Sequence, residues 1–405
     1  MSELRVAIAG AGLAGLALAR HLHRHGIDVL VLERDADLAS RNPGYRLHVN
    51  STGTSVLSTV LEPRLRELFL ATAGIPRQAI LHFDEHLNPG PPRDISGSVG
   101  GAVSDLPEHL VADRSTLRRV LISGLEDRVR FGARVTGYTH DEAGRVTAHL
   151  ADGGSATADV LVAADGVNSA IRAQLLPHAE VVDLGARHIA AKVPLDDETR
   201  AKIPRDLFSM FTLIADRRHD MVTFGPLERS DPASPLIAER DHAFRQEAAR
   251  DFALVVFSAV TDRLPPDAEL SSASSLDLRT LALNRVADWH PAVVELIRMW
   301  DLDTVQPLVL RSSVPVPAWP ARNVTVVGDA VHAMSPALGI GANTAFRDAL
   351  ALGEELVAAA EGRKPLTTAI ADYEAAMRDY GFAAVRDSAA MGQRVIGHRP
   401  LPLPR

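Results

Sequence analysis

Apolar positions along the chain fall into short blocks of strand length that alternate with stretches of helical period. Arg5–Ala9 is a mostly apolar run that ends in Gly10-Ala11-Gly12-Leu13-Ala14-Gly15, and residues 16–25 continue with good helix formers until Gly26 stops them. Residues 27–32 form a second apolar run that closes at Glu33, so the opening predicts strand, tight turn, helix and parallel strand, one βαβ unit. From 74 to 105 the chain turns rich in Pro, Gly, His and Asp around Pro89-Gly90-Pro91-Pro92, which predicts a loop-rich excursion. Helical character returns over 114–125, residues 129–150 alternate around a turn at 141–144 as a hairpin does, and 160–164 reads as a buried strand. Between 181 and 281 the segments 207–215, 220–224 and 252–260 predict an inserted antiparallel layer. A helix is expected around 289–300, a short strand at 324–327, a long Ala-rich helical region from Gly341–Ala360 onward, and a frayed tail over 399–405.

The chain has 405 residues, which at roughly 150 per domain leaves room for two to three domains. With 46% apolar and 23% charged residues it belongs to the ordinary globular class. Lys and Arg number 43 against 51 Asp and Glu, and a net charge of -8 without a basic run argues against nucleic acid or an anionic membrane as partner. There is no cysteine, so disulfides, thiolate metal sites and a Cys nucleophile are excluded and redox chemistry needs a borrowed cofactor. The first ten residues lack the features of a signal peptide, and no apolar stretch approaches the roughly 18 to 20 residues that span a bilayer, so the expectation is a soluble, cytoplasmic protein without stable membrane insertion. His21, His23 and His25 offer an i, i+4 pair with no third ligand, which predicts a solvated helix face and no metal site.

Three segments carry candidate chemistry. Gly10, Gly12 and Gly15 stand in GxGxxG spacing between a strand and a helix, where backbone N–H groups and the helix dipole can hold a pyrophosphate. Glu33 ends the second strand, where a carboxylate can accept hydrogen bonds from a ribose diol. An apolar strand then runs into Asp165-Gly166, with Ser169 and Arg172 beyond, and a third leads through Gly328-Asp329 to Pro336, Gly339, Gly341 and Asn343. Each puts an aspartate at the carboxyl end of a strand, the edge where open α/β sheets bind ligands. Gly339 and Gly341 would let backbone amides approach a flat, electron-accepting ring.

In this order the segments resemble those of the class A FAD-dependent aromatic hydroxylases, the para-hydroxybenzoate hydroxylase-like flavoprotein monooxygenases, over nearly the whole chain. The resemblance implies an α/β fold with a discontinuous Rossmann-like FAD-binding domain (1–73, 105–180 and 281–345), an inserted antiparallel-sheet substrate domain (74–104 and 181–280) and a helical C-terminal region (346–405). It implies that Gly10, Gly12, Leu13, Ala14, Gly15, Glu33 and Arg34 serve the ADP half of FAD, and that Asp165 and Gly166 serve FAD and NAD(P)H. By the same resemblance Gly328 and Asp329 would contact the ribityl and pyrophosphate part, Pro336, Gly339, Gly341 and Asn343 would lie against the isoalloxazine, and Arg114 of Arg-x-x-Leu would lie near the flavin phosphate or ribityl chain. Arg41 and Arg46 flank Asn42-Pro43-Gly44 where family members place residues for FAD or NADPH; a solvated surface charge is the alternative for either. The implied activity is NADH- or NADPH-consuming, O2-dependent hydroxylation of a small aromatic, phenolic or polyketide-like, through a flavin C4a-hydroperoxide, with no catalytic side chain assigned. The short form of the family, lacking a C-terminal thioredoxin-like domain, is expected, and the Trp-x-Trp motif of related flavin halogenases is absent. Met210, Phe211, Thr223, Phe224 and Phe257 are the expected pocket residues, against the alternative of ordinary sheet core. A flavin oxidase or reductase of the same fold, acting on a non-aromatic molecule, is the competing reading.

Overall fold

The strand Arg5–Ala9 is the centre of a five-stranded parallel sheet in the order Val324–Val326, Val160–Ala163, Arg5–Ala9, Asp28–Leu32, Val129–Arg130. A computed structural model describes residues 4–40, 45–91, 93–94 and 105–402. The strands are continuous apolar runs because both faces of the sheet are covered, as parallel sheets require. Helices Leu13–Arg24 and Gly341–Ala360 pack against one another, and the meander Val135–His140, Val146–Leu150, Ser155–Ala158 adds Val146, Ala148 and Leu150 to the same core. No helix among the described residues is long and apolar enough to cross a membrane.

The second sheet has seven strands, ordered Gln306–Ser313, Val181–Pro194, Phe252–Val260, Met221–Leu227, Phe211–Ala215, Ala79–Phe83, Arg93–Asp94. All its pairings are antiparallel except that of Phe211–Ala215 with Ala79–Phe83. Its longest member, the 14-residue strand Val181–Pro194, is absent from the sequence reading. A bulge between Asp183 and Arg187, with Gly185 at φ 71°, breaks the period of two on which that reading depends.

Sheet membership also moves the boundary expected at 281. Gln306–Ser313 is an edge strand of the second sheet, and residues of helices Ser275–Arg285 and Pro291–Arg298 form one apolar cluster with that sheet. The long-range pairing with Val181–Pro194 that decides this leaves no local signal in a run interrupted by Pro307. The tail expected to fray from Arg399 is held at its start: it follows the buried Ile396 and His398, and the Arg399 amide donates to the Leu184 carbonyl at 2.7 Å. His21 is a further correction. It is buried where its helix meets Gly353, whose missing side chain leaves room for the imidazole, and burial pushes its pKa down to about 4.

One buried acid is set against the fold. Glu374, on helix Leu366–Val395, is 1% exposed and accepts a hydrogen bond from the Thr325 hydroxyl at 2.8 Å. Burial outweighs the Thr325 hydrogen bond and raises its pKa from 4.5 to about 7. A carboxyl whose folded pKa is raised keeps its full contribution below the unfolded value and loses it as pH rises through the folded one. Glu374→Gln is therefore expected to match wild type near pH 4.5 and to be more stable at pH 8 by on the order of 3 kcal/mol. Urea unfolding of both proteins at the two pH values checks this, and equal stability at pH 8 would refute it.

Candidate active site

The glycine turn divides its work among three residues. Gly10 sits at φ 107°, and a Cβ there would lie 2.4 Å from the Ala164 carbonyl oxygen; a Cβ on Gly15 would lie 2.1 Å from the Gly10 carbonyl oxygen. These two glycines let strand, turn and helix close on one another. Gly12 differs: it caps helix Leu13–Arg24 with no side-chain bond, and nothing lies within 4 Å of its Cβ position. It stands open at the helix N-terminus, where the first N–H groups, those of Leu13 and Ala14 among them, suit an anion.

Glu33 is buried at the end of the neighbouring strand, with Oε2 accepting from the Ala11 amide at 2.7 Å and Oε1 from the Asp35 amide at 2.9 Å. Arg34 stays exposed beside Asp35. Sequence reasoning missed Arg118, which is buried on helix Arg114–Ile122, donates through Nε to the Ala11 carbonyl at 2.7 Å and stands 3.2 Å from the Glu33 carboxylate. Its i, i+4 relation to Arg114 was the available signal. Arg114 starts that helix, half-buried, with its guanidinium 5.7 Å from the Tyr45 ring. Because Arg118 holds both the turn and its carboxylate, Arg118→Gln is expected to weaken FAD binding roughly 10- to 100-fold, the effect of losing one or two charge-assisted hydrogen bonds. Flavin fluorescence titration checks it, and unchanged affinity would overturn the role.

The second and third segments reach the same sheet edge. Asp165 accepts from the Ala170 amide at 3.2 Å through Oδ2, while its buried Oδ1 has no partner, and burial raises its pKa. Gly166 follows at φ 80° with open space at its Cβ position. Arg172 donates to the carbonyls of Val167 at 2.8 Å and Ala330 at 3.1 Å, tying the two segments together. Gly328, at φ 61°, packs under Ala14 and Ala345, and Asp329 stands exposed at the next helical turn. Behind it Asp348 accepts from the Gly328 amide at 2.6 Å, from His332 at 2.6 Å and from the Tyr380 hydroxyl at 2.7 Å. Pro336 opens a short turn that Gly339 closes in the left-handed region at φ 65°, and Gly341 begins the long helix. Asn343, expected against a flavin, spends its amide on the protein instead: Oδ1 accepts from the Asn50 amide at 2.9 Å and Nδ2 donates to the His48 carbonyl at 2.9 Å. The residues fit a dinucleotide, since Gly12 leaves a cradle that a Cβ would fill and the orphaned Asp165 Oδ1 waits for a donor beside it on the same edge.

Across from the Gly339 turn lies the second sheet. A Cβ placed on Gly339 would be 3.8 Å from the Phe211 ring and 4.0 Å from His48 Nδ1, so loop, sheet and the strand Arg46–Val49 meet there. The register sets Thr223 opposite Leu213 and Val256, all half-buried on the face shared with Phe211. Phe224 and Phe257 must be reassigned. They pair with Val255 and Val222 on the other face and are fully buried under helices Ser275–Arg285 and Pro291–Arg298. Met210 is likewise buried, in a small cluster with Val111, Leu227 and Phe252, and presents its carbonyl and sulfur to Arg46.

Arg46 is not a loop residue reaching for a cofactor. It starts a strand, is 3% exposed, donates to the carbonyls of Pro226 (2.8 Å) and Met210, and lays its guanidinium 4.4 Å from the centre of the Phe211 ring. Burial draws its pKa down to about 9, which leaves it charged at neutral pH, and its Nη1 has no hydrogen-bond partner. Two residues on, His48 Nε2 lies 2.9 Å from Nδ1 of the buried His109. Burial first, then the charge of Arg46 and the neighbouring His109, push the His48 pKa down to about 3, so the ring is neutral. Arg41 lies outside the described residues.

The family model described as an FAD binding domain matches residues 3–251 and 286–388. A dual O-methyltransferase/FAD-dependent monooxygenase of Cercospora beticola is 31% identical over 98% of this chain and 47% of its own length. The chain spans about half the length of the first such curated relatives it matches. An FAD-dependent monooxygenase of Trichoderma harzianum is 26% identical over 99% of this chain and 96% of its own. Among solved structures, one assigned to an FAD-containing monooxygenase of Photorhabdus luminescens is 30% identical, with a TM-score of 0.84 and coverage of 98% of this chain and 99% of that one.

Proposed function

Since the chain belongs to the FAD binding domain family, we propose that it is an FAD-dependent monooxygenase that hydroxylates a small aromatic molecule, phenolic or polyketide-like, at the expense of NAD(P)H and O2. The observation that carries this reading is the meeting of the Gly339 turn with Phe211 and His48, a half-buried place between two sheets with an apolar wall and one polar corner. The names of the relatives, FAD-dependent monooxygenases along the full length of this chain, support it.

The turn at 10–14 would hold the pyrophosphate on backbone N–H groups, with Glu33 toward the ribose and Arg118 fixing both. Asp165, Gly166 and Asp329 line the same edge and would take the remaining hydroxyls and phosphate. Bound there, FAD supplies hydride acceptance from NAD(P)H and activation of O2. The backbone from Pro336 to Gly341 would stabilise negative charge on the flat ring. Phe211, Leu213, Thr223 and Val256 would orient the substrate ring and exclude water, which keeps the oxygen transfer coupled to substrate.

The test is aerobic NAD(P)H consumption by the FAD-loaded protein, with and without a panel of phenols and polycyclic aromatics, while hydrogen peroxide is quantified. Consumption stimulated by an aromatic, with little peroxide and an oxygenated product, is expected. Peroxide equal to the reductant consumed under every aromatic would replace this reading with that of an oxidase or reductase acting on a non-aromatic molecule.

A further inference from the structure

We propose that residues 396–402 are a strut of the active site and that His398 is its positioning residue, holding the turn from Ser335 to Gly341 at a fixed distance from the second sheet. The inference rests on the reading above in one respect, that FAD lies against this turn.

Built-in docking is the first argument. Helix Leu366–Val395 ends at Ile396, and Gly397, at φ 73°, turns the chain back so that His398 lies over Gly392. A Cβ on Gly392 would occupy the place of the imidazole, and a Cβ on Gly185 would stand 2.8 Å from Arg399 Nε. One glycine on the helix and one on the bulged strand Val181–Pro194 thus leave room for consecutive side chains of this segment. A segment lying loosely on the surface would need neither.

Hydrogen bonding is the second. The His398 ring is buried, and its Nδ1 lies 3.0 Å from the Arg399 carbonyl, which can only accept, so Nδ1 carries the hydrogen. Burial holds the pKa of His398 below 6.5, which leaves the ring neutral and Nε2, 3.2 Å from Ser335 Oγ, free to accept. The buried Ser335 hydroxyl donates to it and takes the Ala337 amide at 3.4 Å on its oxygen, which caps the turn. Among the described residues that hydroxyl has no other acceptor.

Packing is the third. Ala337 of the turn, Leu401 of the strut, and Leu213 and Ala215 of the second sheet all pack against one buried cluster that includes Ile396 and Met221. Leu213 lies on the face shared with Phe211, so the turn and the wall opposite it rest on the same residues. Leu401 also packs against the core of the parallel sheet, which ties the segment to both halves of the molecule. With the strut in place the turn keeps its shape before FAD arrives; without it, binding must also order the turn.

The experiment is flavin fluorescence titration of the full chain, with the visible spectrum of the bound flavin, for Ser335→Ala, His398→Phe, their double variant and His398→Gln. His398→Phe keeps a ring over Gly392 and loses the acceptor, whereas His398→Gln loses the ring and offers an amide oxygen to Ser335. Ser335→Ala and His398→Phe are each expected to weaken FAD binding about tenfold and to shift the flavin bands. The double variant is expected to bind no more weakly than Ser335→Ala, and His398→Gln to stay within about twofold of wild type. Losses that multiply in the double variant, a loss shared equally by His398→Gln, or a His398→Phe protein with wild-type affinity and spectrum overturns the strut. Should His398→Phe fail to fold, Ser335→Ala is compared with Ser335→Thr, which keeps the hydroxyl, and equal FAD affinity in the two overturns it. Any of these results leaves the functional reading standing; wild type that binds no FAD brings down both.

Discussion

Gly12→Val is expected to give a folded protein that has lost FAD. The contrast among the three glycines makes this specific. Nothing in the protein lies within 4 Å of the Gly12 Cβ position and its φ of -75° suits any residue, so the valine meets no chain atom there. The space it fills is the one a pyrophosphate needs against the helix N–H groups. A fall in FAD affinity of 100-fold or more is expected, equal to about 3 kcal/mol, with melting of the FAD-free protein little changed. Gly10→Ala should do the opposite. Its Cβ would stand 2.4 Å from the Ala164 carbonyl at a φ of 107°, so the loss appears as instability of the FAD-free chain itself. Flavin content and thermal melting of both variants decide the matter, and a Gly12→Val protein that purifies with full flavin would refute the cradle.

Asp348→Ala is expected to be the most destabilising single change near the site, by about 3 to 5 kcal/mol, because breaking a buried charge pair strands its partner. Asp348 is fully buried and is the common acceptor for the Gly328 amide, His332 and the Tyr380 hydroxyl, so three donors lose their partner at once. Against a typical total of about 5 to 15 kcal/mol this threatens the fold itself. The effect has a pH signature. Burial lowers the pKa of His332, but the charge and hydrogen bond of Asp348, aided by Asp329, overcome it and leave a net rise. A histidine whose folded pKa is raised contributes in full below its unfolded value of 6.5 and loses that contribution as pH rises through the folded pKa. The gap between wild type and Asp348→Ala is thus widest near pH 6 and narrows at alkaline pH. Urea unfolding at pH 6 and pH 9 tests it; a gap that is constant or widens with pH would show that the ion pair is not its source.

Neither aspect of Asp348 was legible in the sequence. The residue sits 20 positions past Gly328 inside an Ala-rich helix, and nothing local distinguishes it from a solvated charge. Arg118 and Arg46 were opaque for the same reason. Arg118 reaches a turn 107 positions away, and Arg46 reaches a carbonyl 180 positions away. Asn343 reads as a member of a motif and is spent on a strand 295 positions earlier. In the second sheet, Thr223 and Phe224 are adjacent and point to opposite faces, and only the packing of helices Ser275–Arg285 and Pro291–Arg298 tells which face is sealed.

The sequence by itself determined the parallel βαβ opening, the order of the three glycine-bearing turns, two of them with an aspartate, and their place at the carboxyl ends of strands. These are local facts of backbone geometry: a glycine at φ 107° or 61° is needed by the turn whatever packs around it, and the residue at that position states the requirement. The tertiary structure alone decided which side chains serve those turns, which face of the second sheet looks at them, and that a neutral His48 beside the buried Arg46 stands where the two sheets meet. Burial and pairing across more than a hundred residues set these properties, and a guanidinium or imidazole carries no mark in the sequence of whether water or a closed interior will surround it.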